Sequence, residues 1–402
     1  MKNAIHQKNI VLGVCGGIAA YKSVEFLRLM TKKGAGVRVM MTPHACEFVG
    51  PMTFAALSGK PVCTDLFDSR DTDASIRHIE WAQDAHAVVI APATANLLGK
   101  YANGLADDAL STFLLAVTCP VILCPSMNSN MYLSPPVQRN LETLRRDGHT
   151  VLEPGAGELA CGTSGPGRLP EPEQILDRLM ACLSPKDLEG KKLLVTAGPT
   201  QEPIDPVRFI SNPSSGKMGY AIARAAEYRG AEVVLVSGPS ALPDPLNVKT
   251  VRIRTAKEMA EAVFAHLDET DIVIKSAAVS DYRPKEVAEH KIKKGEAETQ
   301  MILEQNEDIL KSIGQRKKHQ FLVGFAAETQ SLRDNASAKL EKKNLDMIVG
   351  NIVIQPGSGF GTDTNRVTFF YRGGTQEALE QMDKDEVAHI LLDRVMERIP
   401  PK

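Results

Sequence analysis

The strongest constraint on this chain is a pattern that recurs in both halves: a short apolar run, a turn of small residues, then a helical stretch. "IVLGV" (10–14) is followed by Gly16 and Gly17, a helical stretch over 18–33 closes at Gly34 and Gly36, and "VRVMM" (37–41) resumes the strand pattern. That is a βαβ unit, which demands a parallel sheet with a right-handed crossover. "AVVIAPATAN" (87–96) and "PVILCPSMN" (120–128) again run from a buried strand into a small-residue turn. After the polar segment "ACLSPKDLEGKK" (181–192), with Pro185 and Gly190, the series restarts at "LLVTAGPT" (193–200). It continues with a helix from about Gly216 to Arg229, then "AEVVLVSGP" and "DIVIKSAAVSDY". The expected fold class is therefore α/β, two tandem doubly wound Rossmann-like domains over 1–190 and 191–402, with Ser184 to Gly190 as the linker. No period of 20 to 50 residues recurs, which excludes a solenoid.

Composition narrows the function. Of 402 residues, 43% are apolar and 24% charged, and the net charge of −2 argues against a nucleic-acid or membrane-surface role. All seven cysteines fall within the first 182 residues and none form C-x-x-C, so reduced thiols in a cytoplasmic protein without a secretory leader are expected. The most apolar run (113–124) is too short to span a bilayer and is broken by Pro120.

Small-residue turns at the carboxyl ends of parallel strands are where such sheets bind ligands. "GVCGGIAAYK" (13–22) is not a dinucleotide loop, because Cys15 stands where the fingerprint needs its second glycine and Thr42–Pro43 replaces the acidic ribose ligand. An NAD-dependent dehydrogenase is disfavoured accordingly. A mononucleotide fits better, held by the backbone of Gly16, Gly17, Ile18 and Ala19 at the helix start and by Thr42, Thr94, Asn96, Ser111 and Thr112. Any one such hydroxyl more often serves as a turn or cap residue. "LACGTSGPGR" (159–168) places Cys161 among three glycines and a proline, either as a small packing residue or at the tip of a movable flap. In the second half, "ISNPSSGKMG" (210–219) puts two serines and a glycine at a helix start, a phosphate-binding arrangement without P-loop spacing. Taken alone, His78 beside Trp81 reads as a residue at a core edge, Asn128 as a turn residue, and "KIKK" (291–294) as a solvated face.

"GVCGGIAAYK", "HIEWA", "APATAN", "PSMNSNMY" and "LACGTSGPGR" occur in an order that resembles the flavin-dependent cysteine decarboxylase family. With "AGPTQEPIDPVRFISNPSSGKMG", "AAVSDYRP", "KIKK", "GFAAET" and "KKNLD", the whole chain is similar to bifunctional coenzyme A biosynthesis proteins, which join phosphopantothenoylcysteine decarboxylase to phosphopantothenate–cysteine ligase. The resemblance implies that CTP activates 4′-phosphopantothenate as an acyl-cytidylate, that L-cysteine then forms the amide, and that the product is decarboxylated with FMN to 4′-phosphopantetheine. Oxidising the cysteine thiol to a thioaldehyde places a C=S group where it can take up the electron pair freed by CO₂ loss. His78 would be the active-site base, Asn128 would bind the substrate carboxylate, and Cys161 would return a proton. An ordinary thiol of pKa about 8.5 is still protonated at neutral pH. Arg168, closing the flap motif, is a candidate phosphate partner.

In the second half the resemblance makes Asn212 a contact to the acyl phosphate and Lys291 the charge that neutralises the α-phosphorus. Ala277, Asp281, Glu307, Asp308, Ile309, Leu310, Phe325, Lys339 and Lys343 would bind nucleotide. Mg²⁺ is expected with the triphosphate, although no clustered ligand set marks a metal site. Relatives imply flavin-domain trimers linked by ligase-domain dimers. Two positions depart from the family pattern: Cys15, where serine is common, and Glu307, where proline is common. The rival reading, a flavin-binding regulatory module without catalysis, has no need of His78, Asn128 and Cys161 together.

Overall fold

The computed structural model describes residues 4–66, 74–159, 162, 164–293, 300–328, 332–352, 359 and 361–399. The chain divides into two compact units, residues 2–184 and 185–402.

The first unit is built on six strands: β1 (Asn9–Val14), β2 (Gly36–Met41), β3 (Val62–Cys63), β4 (Ala87–Ala93), β5 (Val121–Pro125) and β6 (Thr150–Val151). They lie in the order β3-β2-β1-β4-β5-β6, all parallel. Burial on both faces explains the near-continuous apolar runs read from the sequence. Helices Ala20–Lys32, Pro51–Ser58 and Pro172–Leu183 pack together, and so do Ala95–Ala102, Ala109–Ala116 and Pro135–Arg146. A separate antiparallel hairpin, β7 (Gly155–Glu158) and β8 (Ser164–Arg168), follows β6.

The second unit repeats this order. Its sheet runs Lys249–Arg252, Glu232–Ser237, Lys192–Ala197, Ile272–Lys275, Phe321–Glu328 and Met347–Ile352, all parallel, and ends in the antiparallel strands Thr368–Tyr371 and Gln376–Ala378. Leu193, Val195, Ile272, Ile274 and Val349 bury against helices Lys217–Tyr228 and Lys384–Met396. Leu194, Val273, Leu322 and Ile348 bury on the opposite face, against Ala256–Leu267, Ile309–Arg316 and Leu332–Lys342. No helix among the described residues is long and apolar enough to cross a membrane.

The boundary differs from the expected one. Residues 185–190 belong to the second unit and are not a free linker. Leu188 is wholly buried in its core. Lys186 donates to the carbonyl of Tyr228 (2.6 Å), and Asp187 accepts from Arg229 Nε at 2.8 Å. Arg229 is buried and also bonds Asp393 (2.8 Å), so this polar stretch supplies a counter-charge that the composition alone disguises.

Candidate active sites

In both units the strand order reverses between the first and fourth parallel strands, which opens a crevice at their carboxyl ends. In the first unit this point is flanked by Gly16 and Gly17 after β1 and by Thr94 after β4. A Cβ on Gly16 would lie 2.4 Å from His44 Cβ, so only glycine allows the "TPHA" turn to come this close. Gly17 has no atom within 4 Å on its Cβ side, leaving open space at the start of helix Ala20–Lys32. Ile18 is exposed and Ala19 half-buried at the N-cap.

The hydroxyls divide by role. Thr94 caps helix Ala95–Ala102, accepting from Leu97 N (3.4 Å), and Asn96 is exposed beside it. Ser111 is buried in a capping box with Asp108 (2.8 and 3.1 Å), and Thr112 bonds the carbonyl of Ala106 at 3.5 Å. Thr42 sits at an N-cap without a side-chain cap bond, its N–H donating to the Val14 carbonyl (3.0 Å). Burial, eased only in part by bonds to Thr94, pushes the Cys15 thiol up to about 12, so it is a neutral packing residue and not a thiolate.

His78 lies on helix Ala74–Asp84, and its Nδ1 is buried with no hydrogen-bond partner. An orphaned imidazole nitrogen in a protein interior calls for a ligand or water. Ser129 Oγ, next to Asn128, is orphaned in the same way. Asn128 caps the turn Ser129–Tyr132, accepting from Asn130 N at 2.8 Å, so part of its polarity serves the turn. Strand β8 lies directly on this turn. Met127 N donates to the Gly167 carbonyl (3.0 Å), and a Cβ on Gly167, at φ +145°, would fall 2.1 Å from Met127 O. The glycines of the flap motif thus let the hairpin press on the Asn128 loop, with exposed Arg168 ending the strand. Cys161 lies outside the described residues, in the connection between β7 and β8.

The second unit holds a cleft of about 790 Å³ over its switch point. Asn212, Ala277, Asp281, Glu307, Asp308, Ile309, Leu310, Phe325, Lys339 and Lys343 all line it, so the structure brings together every nucleotide-site candidate except Lys291. Ile309 and Leu310 are buried in the core, which leaves the main chain of their helical turn as what they can offer a ligand. Asn212 Nδ2 donates to the Ala278 carbonyl (3.1 Å). Lys343 pairs with Asp308 (2.8 Å) and Lys339 with Glu328 (2.7 Å). Asp308 is partly desolvated, yet its bonds from Lys343 and from the Lys311 N–H hold its carboxyl below the ordinary range. Lys291 is exposed outside the cleft, on a segment pinned where Ile292 N donates to Asp205 (3.2 Å) and Arg208 donates to the Ile292 carbonyl (2.9 Å).

Three of the cleft residues that sequence reasoning missed carry unsatisfied polar groups or charge. Ser280 Oγ and Asn306 Oδ1 are buried without partners, and Lys275 ends the central strand. The last was visible in "DIVIKS", where a lysine interrupts an apolar run at the carboxyl end of the strand. Among the described residues no cluster of three or more His, Cys, Asp or Glu could hold a metal.

With that geometry in place, comparison with known proteins decides the family. A family model described as "Flavoprotein" matches residues 1–184, and one described as "DNA/pantothenate metabolism flavoprotein C-terminal domain" matches 188–399. The chain is 47% identical, over 97% of both sequences, to the coenzyme A biosynthesis bifunctional protein CoaBC of Bacillus subtilis (strain 168). The protein of that name from Escherichia coli (strain K12) is 45% identical over 98% of both. The chain belongs to the coenzyme A biosynthesis bifunctional protein family. It is a flavoprotein with decarboxylase and ligase activities in coenzyme A biosynthesis. Among solved structures, the C-terminal domain of a coenzyme A biosynthesis bifunctional protein CoaBC is 47% identical, covering 53% of this chain and 97% of that one, with a TM-score of 0.46.

Proposed function

We propose that residues 2–184 form an FMN-dependent phosphopantothenoylcysteine decarboxylase and residues 185–402 a CTP-dependent phosphopantothenate–cysteine ligase, both cytoplasmic. The observation that carries this division is the contrast between the switch points. The first offers backbone amides and neutral hydroxyls around open space at Gly17, which suits the single phosphate of FMN. The second is a cleft lined by seven lysines against three carboxylates, which suits a triphosphate and a phosphorylated acid together.

In the decarboxylase, FMN when bound supplies the acceptor and donor of hydride for the thiol-bearing carbon of the substrate. His78 takes the thiol proton, for which its unpartnered Nδ1 gives a buried nitrogen free to be satisfied by ligand. Asn128 hydrogen-bonds the carboxylate that leaves as CO₂. Cys161, which lies in the chain between β7 and β8, protonates the enethiol carbon that remains. In the ligase, Asn212 contacts the acyl phosphate, and Lys291 neutralises the charge that develops at the α-phosphorus, which lowers the barrier. Mg²⁺ enters with CTP, and the flavin units assemble as trimers joined through ligase dimers.

The test is to denature the purified protein and identify the flavin by mass, then supply phosphopantothenate, cysteine and each nucleotide in turn. FMN, CTP dependence, pyrophosphate release and phosphopantetheine are expected. Lys291→Gln should slow cytidylate formation roughly 10²–10³-fold while sparing decarboxylation. A colourless protein that takes up no FMN, or equal turnover with every nucleotide, defeats the corresponding half.

A further inference from the structure

Lys275 is the last residue of the central strand Ile272–Lys275 and borders the cleft. Two residues beyond Val273, it points to the same face of the sheet, where Val273 packs with Ile309, Ile313 and Leu340. That face carries Asp308 at the helix N-cap and Lys343 beyond the next helix, with Asp281 in the turn that follows. The other lysines of the cleft are engaged or exposed. Lys343 and Lys339 pair with Asp308 and Glu328, Lys217 pairs with Asp363 (2.6 Å), and Lys384 donates to the carbonyls of Gly359 (3.2 Å) and Thr362 (2.5 Å). Lys311 and Lys342 are exposed. Lys275 is half-buried, and its side chain has no hydrogen bond or ion pair among the described residues.

We propose that Lys275 is an anion-binding residue of the ligase cleft, donating from its ε-ammonium to a phosphate oxygen of a bound substrate. The proposal rests on reading the cleft as the site for nucleotide and phosphopantothenate. A half-buried ammonium at the lip of a lysine-rich cleft, with no acceptor of its own, is unfavourable until an anion enters the cleft. A neutral base edge would supply an acceptor but no charge, whereas a phosphate supplies both to a cleft lined by seven lysines and three carboxylates. Burial, reinforced by Lys343 and opposed by Asp308 and Asp281, lowers the Lys275 ammonium to about 8. The charged form is the one that binds, so this contribution is full below that value and fades as pH rises through it. An arriving phosphate favours the charged form, and binding near pH 8 therefore takes up a proton.

Calorimetry on the full-length chain with CTP, cytidine and 4′-phosphopantothenate tests this. The unmodified protein must first bind the phosphorylated ligands; if it binds neither, the reading of the cleft fails before Lys275 is at issue. Lys275→Met should then weaken one phosphorylated ligand about tenfold, and cytidine not at all. Weaker CTP assigns the contact to the triphosphate; weaker phosphopantothenate with CTP unchanged assigns it to that phosphate. Lys275→Arg should restore affinity and abolish its fall between pH 7 and 9. In the unmodified protein, binding heats in two buffers of different ionisation enthalpy should reveal the proton uptake, a readout that needs no variant to fold. Unchanged affinity for both phosphorylated ligands, or equal loss for cytidine, would overturn the proposal.

Discussion

The two units share one strand order and present opposite chemistry at its switch point. In the first, β1 and β4 run into Cys15–Gly16–Gly17 and Thr94, without a charged side chain. In the second, the corresponding strands run into Gly198–Pro199–Thr200 and Lys275–Ser276, under a cleft rich in lysine. Topology places a crevice in both; the side chains at the strand ends set its charge, uncharged in the first unit and lysine-rich in the second. The supporting devices differ too. The first unit lays a hairpin over its loop through backbone contact, whereas the second fixes loops with ion pairs such as Arg208–Asp205 and Lys217–Asp363.

The largest effect should come from cutting the chain at the wrong place. A fragment starting at residue 191 loses Leu188 from the core and Asp187 from buried Arg229, and should be about 3–5 kcal/mol less stable than one starting at 185. Urea denaturation of both fragments checks this; equal midpoints would return residues 185–190 to the role of linker. The fragment 2–184 loses nothing comparable and should fold in either comparison.

Next in size is Gly167→Ala. The new methyl meets Met127 O in a backbone conformation that L side chains avoid, so β8 must lift from the Asn128 turn. Decarboxylation should fall about 10²-fold with ligation unchanged, since displacement of about 1 Å at a reacting site costs this much. Separate assays of the two half-reactions decide it, and parallel loss of both would mean that the units are not chemically independent.

The smallest effect belongs to Cys15→Ser. With its thiol pushed up to about 12 by burial, Cys15 contributes packing and not reactivity. Exchange for serine should shift stability by about 1 kcal/mol or less, because Thr94 is at hand to bond the hydroxyl, and flavin should be retained. Loss of flavin would make position 15 part of the cofactor site and narrow the contrast between the units.

Much of the architecture is legible in the sequence. The β-run, turn and helix alternation identified both sheets, and the helix placed at Gly216 to Arg229 is found at Lys217–Tyr228. Such patterns are local: periodicity and turn residues report the burial of each segment independently of its partners. The boundary is not legible locally, because Asp187 and Lys186 look solvated until Arg229 and Tyr228, some forty residues later, are folded against them.

Site residues divide along the same line. By itself the sequence determined that small-residue turns follow the apolar strands at Gly16 and Thr94 and that a Ser/Gly-rich turn near Asn212 opens a helix. Only the tertiary structure decided which groups are already partnered. It ties the Ser111 hydroxyl into a capping box and leaves His78 Nδ1, Ser280 Oγ and Asn306 Oδ1 without partners. It holds Lys291 outside the cleft and sets Lys275 beside Lys343 and Asp308. Strand and helix follow from neighbours along the chain, but burial, charge pairing and the state of a titrating group depend on residues brought together from distant positions, and no local pattern encodes those distances.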